Sequence, residues 1–117
     1  MNARLLDQRI QTHLEHSRAV FLLDEELGSR HGIGWIEFLA LKELSCAEPS
    51  LPLRLLAEHL GLKTSRLLAI LLPLEKIGFV TRVHGKDLSK HIEITSAGRK
   101  LLPGASESAH ALCAHFK

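Results

Sequence analysis

LPLRLLAEHLGLKTSRLLAILLPLEKIGFVTRVHGKDLSKHIEITSAG, residues 51 to 98, changes its apolar period twice, and those changes decide the fold. Leu55, Leu56, Ala57 and Leu60 make a helical stripe ending at Gly61, which suits the left-handed turn at a helix C-terminus. After a brief turn, Thr64 or Ser65 can cap a second helix, in which Leu67, Ile70, Leu71 and Leu74 recur at helical spacing. Gly78 closes it. The period then falls to two across Phe79, Val80, Thr81, Arg82 and Val83. A polar turn follows at His84-Gly85-Lys86-Asp87, and residues 90–94 return as a second strand. Thr95 can cap another helix. Helix, short turn, helix and hairpin in that order make a winged helix-turn-helix: a mainly α fold with a small β-hairpin wing. Such a unit ordinarily places its second helix in the DNA major groove.

The whole sequence narrows the class further. Its 117 residues suit one domain with a buried core, and 45% hydrophobic residues exclude a disordered chain. A net charge of +2 permits a polyanionic partner without demanding one. With no Tyr and one Trp, little is available for base stacking, which argues against single-strand binding. Cys46 and Cys113 form no C-x-x-C pair, and no signal sequence opens the chain, so a reducing cytoplasm is expected. No apolar run reaches the ~18–20 residues of a membrane span, so no membrane partner is expected. Nucleophile elbow, phosphate loop and zincin motifs are all lacking, which predicts neither an enzyme, a catalytic residue nor a cofactor.

Outward from the central stretch, Leu6, Ile10, Leu14 and Phe21, with Leu5, Val20 and Leu27 nearby, predict one long amphipathic helix over residues 2 to about 27. Gly28 and Gly32 bracket its end. It carries more apolar surface than one small core covers, which implies a homodimer with this helix in the interface. The competing arrangement packs it within the chain against the C-terminal helix. A helix over residues 33–46 follows, with Ile36, Phe38, Leu41 and Leu44 as core and Trp35 beside them. Leu51-Pro52-Leu53 reads as a short extended piece that can add a third strand to the hairpin, because Pro52 fits an edge. Helices are expected at 54–60 and 65–77. A last helical region runs from residue 96 and breaks at Pro103-Gly104. Its second half, through Leu112 to Phe116, would complete the dimer interface. Residues 1–30 and 96–117 thus read as dimerisation helices, and 31–95 as the winged helix-turn-helix of one domain, 1–117.

These residues resemble the MarR family of bacterial transcription regulators over roughly residues 30–100. The likeness lies in Gly32-Ile33 leading into Glu37-Phe38-Leu39-Ala40-Leu41, then Leu56-Ala57-x-x-Leu60 and Leu74-Glu75-x-x-Gly78-Phe79-Val80-x-Arg82. Asp87 and Ile94-Thr95-x-x-Gly98 complete it. The resemblance implies a dimeric repressor or activator that binds a palindromic operator in double-stranded DNA and is often released by a small-molecule effector. It assigns the recognition-helix N-terminus to Lys63, Thr64, Ser65 and Arg66. Arg66 can fork onto a guanine, and Thr64 and Ser65 can bond phosphate or a base edge. The wing would contribute His84, Lys86 and Lys90, with Arg82 at its base.

The chain departs from the family pattern in three places. Leu68-Ala69 stand where polar residues are common in mid-helix. Pro73 would kink or end the helix, at a cost of about 3 kcal/mol. The wing is short, with Leu88-Ser89 replacing a basic pair. Leu67, Leu68, Leu71 and Leu72 cover more than one helix face. That surplus supports an alternative function, a winged-helix module that binds a protein partner through this helix and no longer reads DNA. Of the eight His, His110 and His115 with Cys113, and His13 with His16, have spacings that could hold zinc. Exposed helical His is the commoner reading, and no metal site is expected. Cys46, closing an apolar helix, is expected to be buried and inert.

Overall fold

The computed structural model describes residues 3–47, 49–84 and 90–116. The first helix, α1 (Ala3–His31), runs straight through Gly28 and stops at Gly32. There φ reaches +72° and the Gly32 N–H returns to the Gly28 carbonyl at 3.1 Å. The expected end near residue 27 is therefore one turn short. Leu27 is wholly buried and extends the packing face past the glycine, so tertiary contact outweighs the weak helix propensity of Gly28.

The next helix, α2 (Trp35–Ser45), begins at Gly34, which has no side chain to cap it. The cap comes from α1 instead: Asp24 Oδ1 accepts the Trp35 N–H at 2.7 Å. A Cβ on Gly34 would crowd the carboxylates of Asp24 and Glu37, so a side chain there would displace the Asp24 cap. A cap of this kind contributes about 1 kcal/mol and fixes the angle between the helices.

Strand β1 (Leu51–Pro52) leads directly into helix α3 (Leu53–Leu60). Helix α4 (Thr64–Ile77), strands β2 (Val80–His84) and β3 (Lys90–Ile94), and helix α5 (Ser96–Cys113) follow. The sheet order is β1-β3-β2, antiparallel throughout, with Leu51 opposite Ile92 and Val80 opposite Ile94. The third strand expected from Pro52 is present, while Leu53 belongs to α3 and is buried. Ser50 Oγ bonds His91 Nδ1 at 3.1 Å beside this edge.

Two full Schellman caps set the turn lengths. The Gly61 and Leu62 N–H groups return to the Glu58 and Ala57 carbonyls, and Gly78 and Phe79 repeat the pattern on Glu75 and Leu74. Both glycines are left-handed, at φ +67° and +96°. Leu27, Leu41, Leu44, Leu56, Leu67, Leu71, Leu74 and Ile92 are fully buried where α1, α2, α3, α4 and β3 meet. Each contributes roughly 2 kcal/mol of apolar burial.

The Ile94-Thr95-x-x-Gly98 motif acquires a physical meaning here. Thr95 Oγ1 accepts the Gly98 N–H at 3.1 Å and donates to the Gly78 carbonyl at 2.6 Å. Its own N–H donates to the Phe79 carbonyl at 3.0 Å. One residue thus caps α5 and ties it to the end of α4.

Several local expectations are corrected. Helix α5 does not break at Pro103-Gly104, because Leu102, Ala105 and Ala109 stay buried on one continuous face. Pro73 likewise sits inside α4, which continues to Ile77 with Leu71 and Leu74 anchored on either side of it. Lys63, rather than Thr64 or Ser65, occupies the α4 N-cap, and no side chain caps it. Ile36 is only half-buried, and Cys46 is exposed, lying past the last buried residue of α2. Among the described residues no helix is long and apolar enough to cross a membrane, and no three of His, Cys, Asp and Glu could hold a metal ion.

Candidate nucleic-acid interface

Helix α4 presents two unlike faces. Leu67, Leu71 and Leu74 point into the core, and Leu68 packs against its margin. Lys63, Thr64, Ser65 and Arg66 are exposed around its N-terminal turn, and Ala69, Leu72, Pro73 and Lys76 are exposed along the side opposite the core. The leucine surplus therefore largely disappears: of the four leucines, Leu72 alone stands out, 43% exposed. A protein-binding face made of leucine loses most of its material.

The four residues assigned to the recognition-helix N-terminus are thus together and open to solvent. The three-residue turn Gly61–Lys63 and the Schellman cap lock α3 against α4, so these side chains start from a rigid base. Backbone N–H groups of the first turn of α4 have no side-chain cap and are available to an anion. Lys63 and Arg66 have no acidic partner among the described residues.

The wing is braced against α4 at its base. Arg82 Nε bonds Glu75 Oε2 on α4 at 3.1 Å, which fixes the base of β2 to the helix. Arg82 is thus a strut between β2 and α4. His84 and Lys90 face each other in register at the turn end of the hairpin, both exposed. Lys86, and the short wing tip with Leu88-Ser89, lie outside the described residues.

Lys76 was missed by the sequence reading. It follows Ser65, Ala69 and Leu72 at spacings of four, three and four, and so closes the same outward stripe. Its helical phase relative to Ser65 would have found it. Glu75 is the only carboxylate on α4, and Arg82 engages it. The exposed residues of α4 therefore include cationic, hydroxyl and apolar side chains and no unpaired carboxylate.

Elsewhere, Leu6, Ile10, Leu14 and Phe21 form a bare strip along α1, at 58, 48, 46 and 62% exposure. Leu23 and Leu27 are buried on a different side of the same helix, against α5 and the core. His31 Nε2 and Ser108 Oγ, 2.8 Å apart, join the ends of α1 and α5. Leu112 is half-buried against the core margin, and Phe116 is exposed. A groove of about 480 Å³ runs between α1 and α5, lined by Glu26, Arg30, Glu107, Ser108 and Leu112 among others.

Many solved structures share this architecture. A MarR-family transcriptional regulator from Rhodococcus sp. RHA1 superposes with a TM-score of 0.88 at 20% identity, covering 94% of this chain and 79% of that one. A mutant MarR from E. coli, complexed with operator DNA, gives 0.83 at 17% identity, covering 97% and 81%. CouR from Rhodococcus jostii RHA1, bound to p-coumaroyl-CoA, gives 0.80 at 20% identity, covering 98% and 77%. No protein-family profile matches the sequence, and no curated protein does. The chain has the winged-helix fold of MarR-family regulators.

Proposed function

We propose that the chain is a homodimeric, non-enzymatic transcription regulator of MarR type, acting on double-stranded DNA in the bacterial cytoplasm. The observation that carries this reading is the exposed N-terminal turn of α4: Lys63, Thr64, Ser65 and Arg66 stand clear of the core, and among the described residues neither Lys63 nor Arg66 has an acidic partner. A protein of the same fold, the E. coli MarR mutant, is complexed with operator DNA. In the dimer two α4 helices enter major grooves about one DNA turn apart on a palindromic operator. Lys63 and the wing residues Lys86 and Lys90 neutralise phosphate, Arg82 braces the wing, and Arg66 reads a base edge.

Residues 1–30 and 96–117 supply the dimer contact through Leu6, Ile10, Leu14, Phe21, Leu112 and Phe116. The accessible surface is 7951 Å², roughly 1,600 Å² more than a compact monomer of this size presents. The radius of gyration, 16.0 Å, likewise exceeds the ~13 Å of a compact chain. A stable dimer covers about 800 Å² on each partner, so the surplus is ample. CouR holds p-coumaroyl-CoA. A small effector bound between the dimer helices and the winged domain would shift the spacing of the two DNA-reading lobes, a change of population rather than a new contact at DNA.

Arg66→Ala is the direct test. Fluorescence anisotropy against the chain's own upstream DNA should show binding weakened by ~1–3 kcal/mol, with relaxed preference at one base pair. Lys63→Ala should weaken all sequences alike and reduce the salt slope by about one. Sequence-blind binding by the parent protein, unaffected by Arg66→Ala, would overturn the reading.

A further inference from the structure

The centre of the α4 outward face carries no group that can hydrogen-bond a base. Ala69 and Leu72 occupy it, flanked by Pro73, between Ser65 and Arg66 on one side and Lys76 on the other. We infer that Ala69 and Leu72 read the C5-methyl groups of thymines in the major groove, so that the middle of each half-site is selected by apolar contact. The inference rests on the proposed DNA-binding function and names the base chemistry that this function would use.

Three features support it. The floor of the major groove offers one apolar group, the thymine methyl, and Ala is among the side chains that contact it well. Ala69 and Leu72 lie three residues apart on one face, so they sit one above the other along the groove. Ser65 to Lys76 spans about 16 Å of helix, and Lys63 and Lys76 near the two ends can engage phosphates while the apolar centre faces the bases. Charge complementarity favours DNA as the occupant of this strip, since α4 exposes no unpaired carboxylate. Leu72, left in water, would gain by burial against a methyl. Each contacted methyl should change affinity about fourfold, the effect of one methylene-sized transfer.

The test begins by selecting preferred duplexes from a randomised double-stranded library with the full chain. Each thymine of the selected site is then replaced by deoxyuridine, which removes only the methyl. Replacement at one or two thymines per half-site should weaken binding about fourfold for each methyl. Ala69→Asn and Leu72→Asn, both at exposed positions, should each abolish the loss at one of those thymines, with circular dichroism unchanged. A selected site indifferent to deoxyuridine at every thymine would overturn the inference while leaving the regulator reading intact. So would sensitivity that persists in both variants, since other residues would then be responsible. Failure to enrich any sequence would overturn the regulator reading and this inference with it, and would turn attention to a protein partner for Leu72.

Discussion

Replacing Ile10 and Phe21 together by Asp should leave the chain folded but monomeric. Both side chains lie on the bare strip of α1, three turns apart, and neither contributes to the core. Far-ultraviolet circular dichroism should therefore be unchanged. At a two-fold interface every substitution occurs twice, so the double variant sets four carboxylates against an apolar surface. Burying each without a partner costs several kcal/mol, which exceeds what a standard-sized interface can absorb. Sedimentation velocity at micromolar protein should change from a single dimer boundary to a single monomer boundary. Operator affinity should fall by about 10²–10⁴, because the second half-site is no longer engaged within one assembly. A parent chain that sediments as a monomer, or a double variant that remains dimeric, would refute the assignment of this strip.

The central stretch was legible because its signals are local. Helical spacing in Leu67, Leu71 and Leu74, the change to period two at Phe79, and the stops at Gly61 and Gly78 each depend on a few neighbouring residues. Every helix and strand they predict is present, including the two-residue β1. What the sequence could not supply was the outcome of competition between local preference and distant packing. Gly28 and the Pro103-Gly104 pair are poor helix residues, yet both lie in continuous helices whose buried faces extend past them. Asp24 capping α2 across eleven residues, and Glu75 holding Arg82, are tertiary pairings with no fixed spacing that could announce them.

The α4 site divides in the same way. Its N-terminal quartet came from the position of those residues in a resemblance, and the structure leaves each of them exposed around the first turn of α4. Which leucines face outward depended on the phase of α4 against the core. Four leucines in six residues leave that phase open when only the sequence is read. Burial of Leu67 and Leu71 resolves it, and Ala69, Leu72 and Lys76 follow as the outer stripe.

Gly98→Val should be the most damaging single substitution at the junction between the winged domain and α5. A Cβ there would run into the Phe79 carbonyl oxygen and lie 2.7 Å from Ile94 Cγ1. Neither can yield cheaply. Ile94 is buried in the core, and the Phe79 carbonyl accepts the Thr95 N–H. Moving α5 outward instead would break the Thr95 cap and its bond to the Gly78 carbonyl. Overpacking plus a lost cap amounts to about 3 kcal/mol or more. With roughly 4 °C for each kcal/mol in a domain of this size, the thermal midpoint should fall by about 12 °C. Gly28→Ala gives the opposite sign in the same melting experiment. Gly28 is helical, and a Cβ there meets nothing within 4 Å, so alanine should raise the midpoint by a few degrees through its better helix propensity. If both variants melted alike, close approach at Gly98 could not be what the Ile94-Thr95-x-x-Gly98 motif encodes. Opposite shifts would separate a glycine selected for contact from one that the helix merely tolerates.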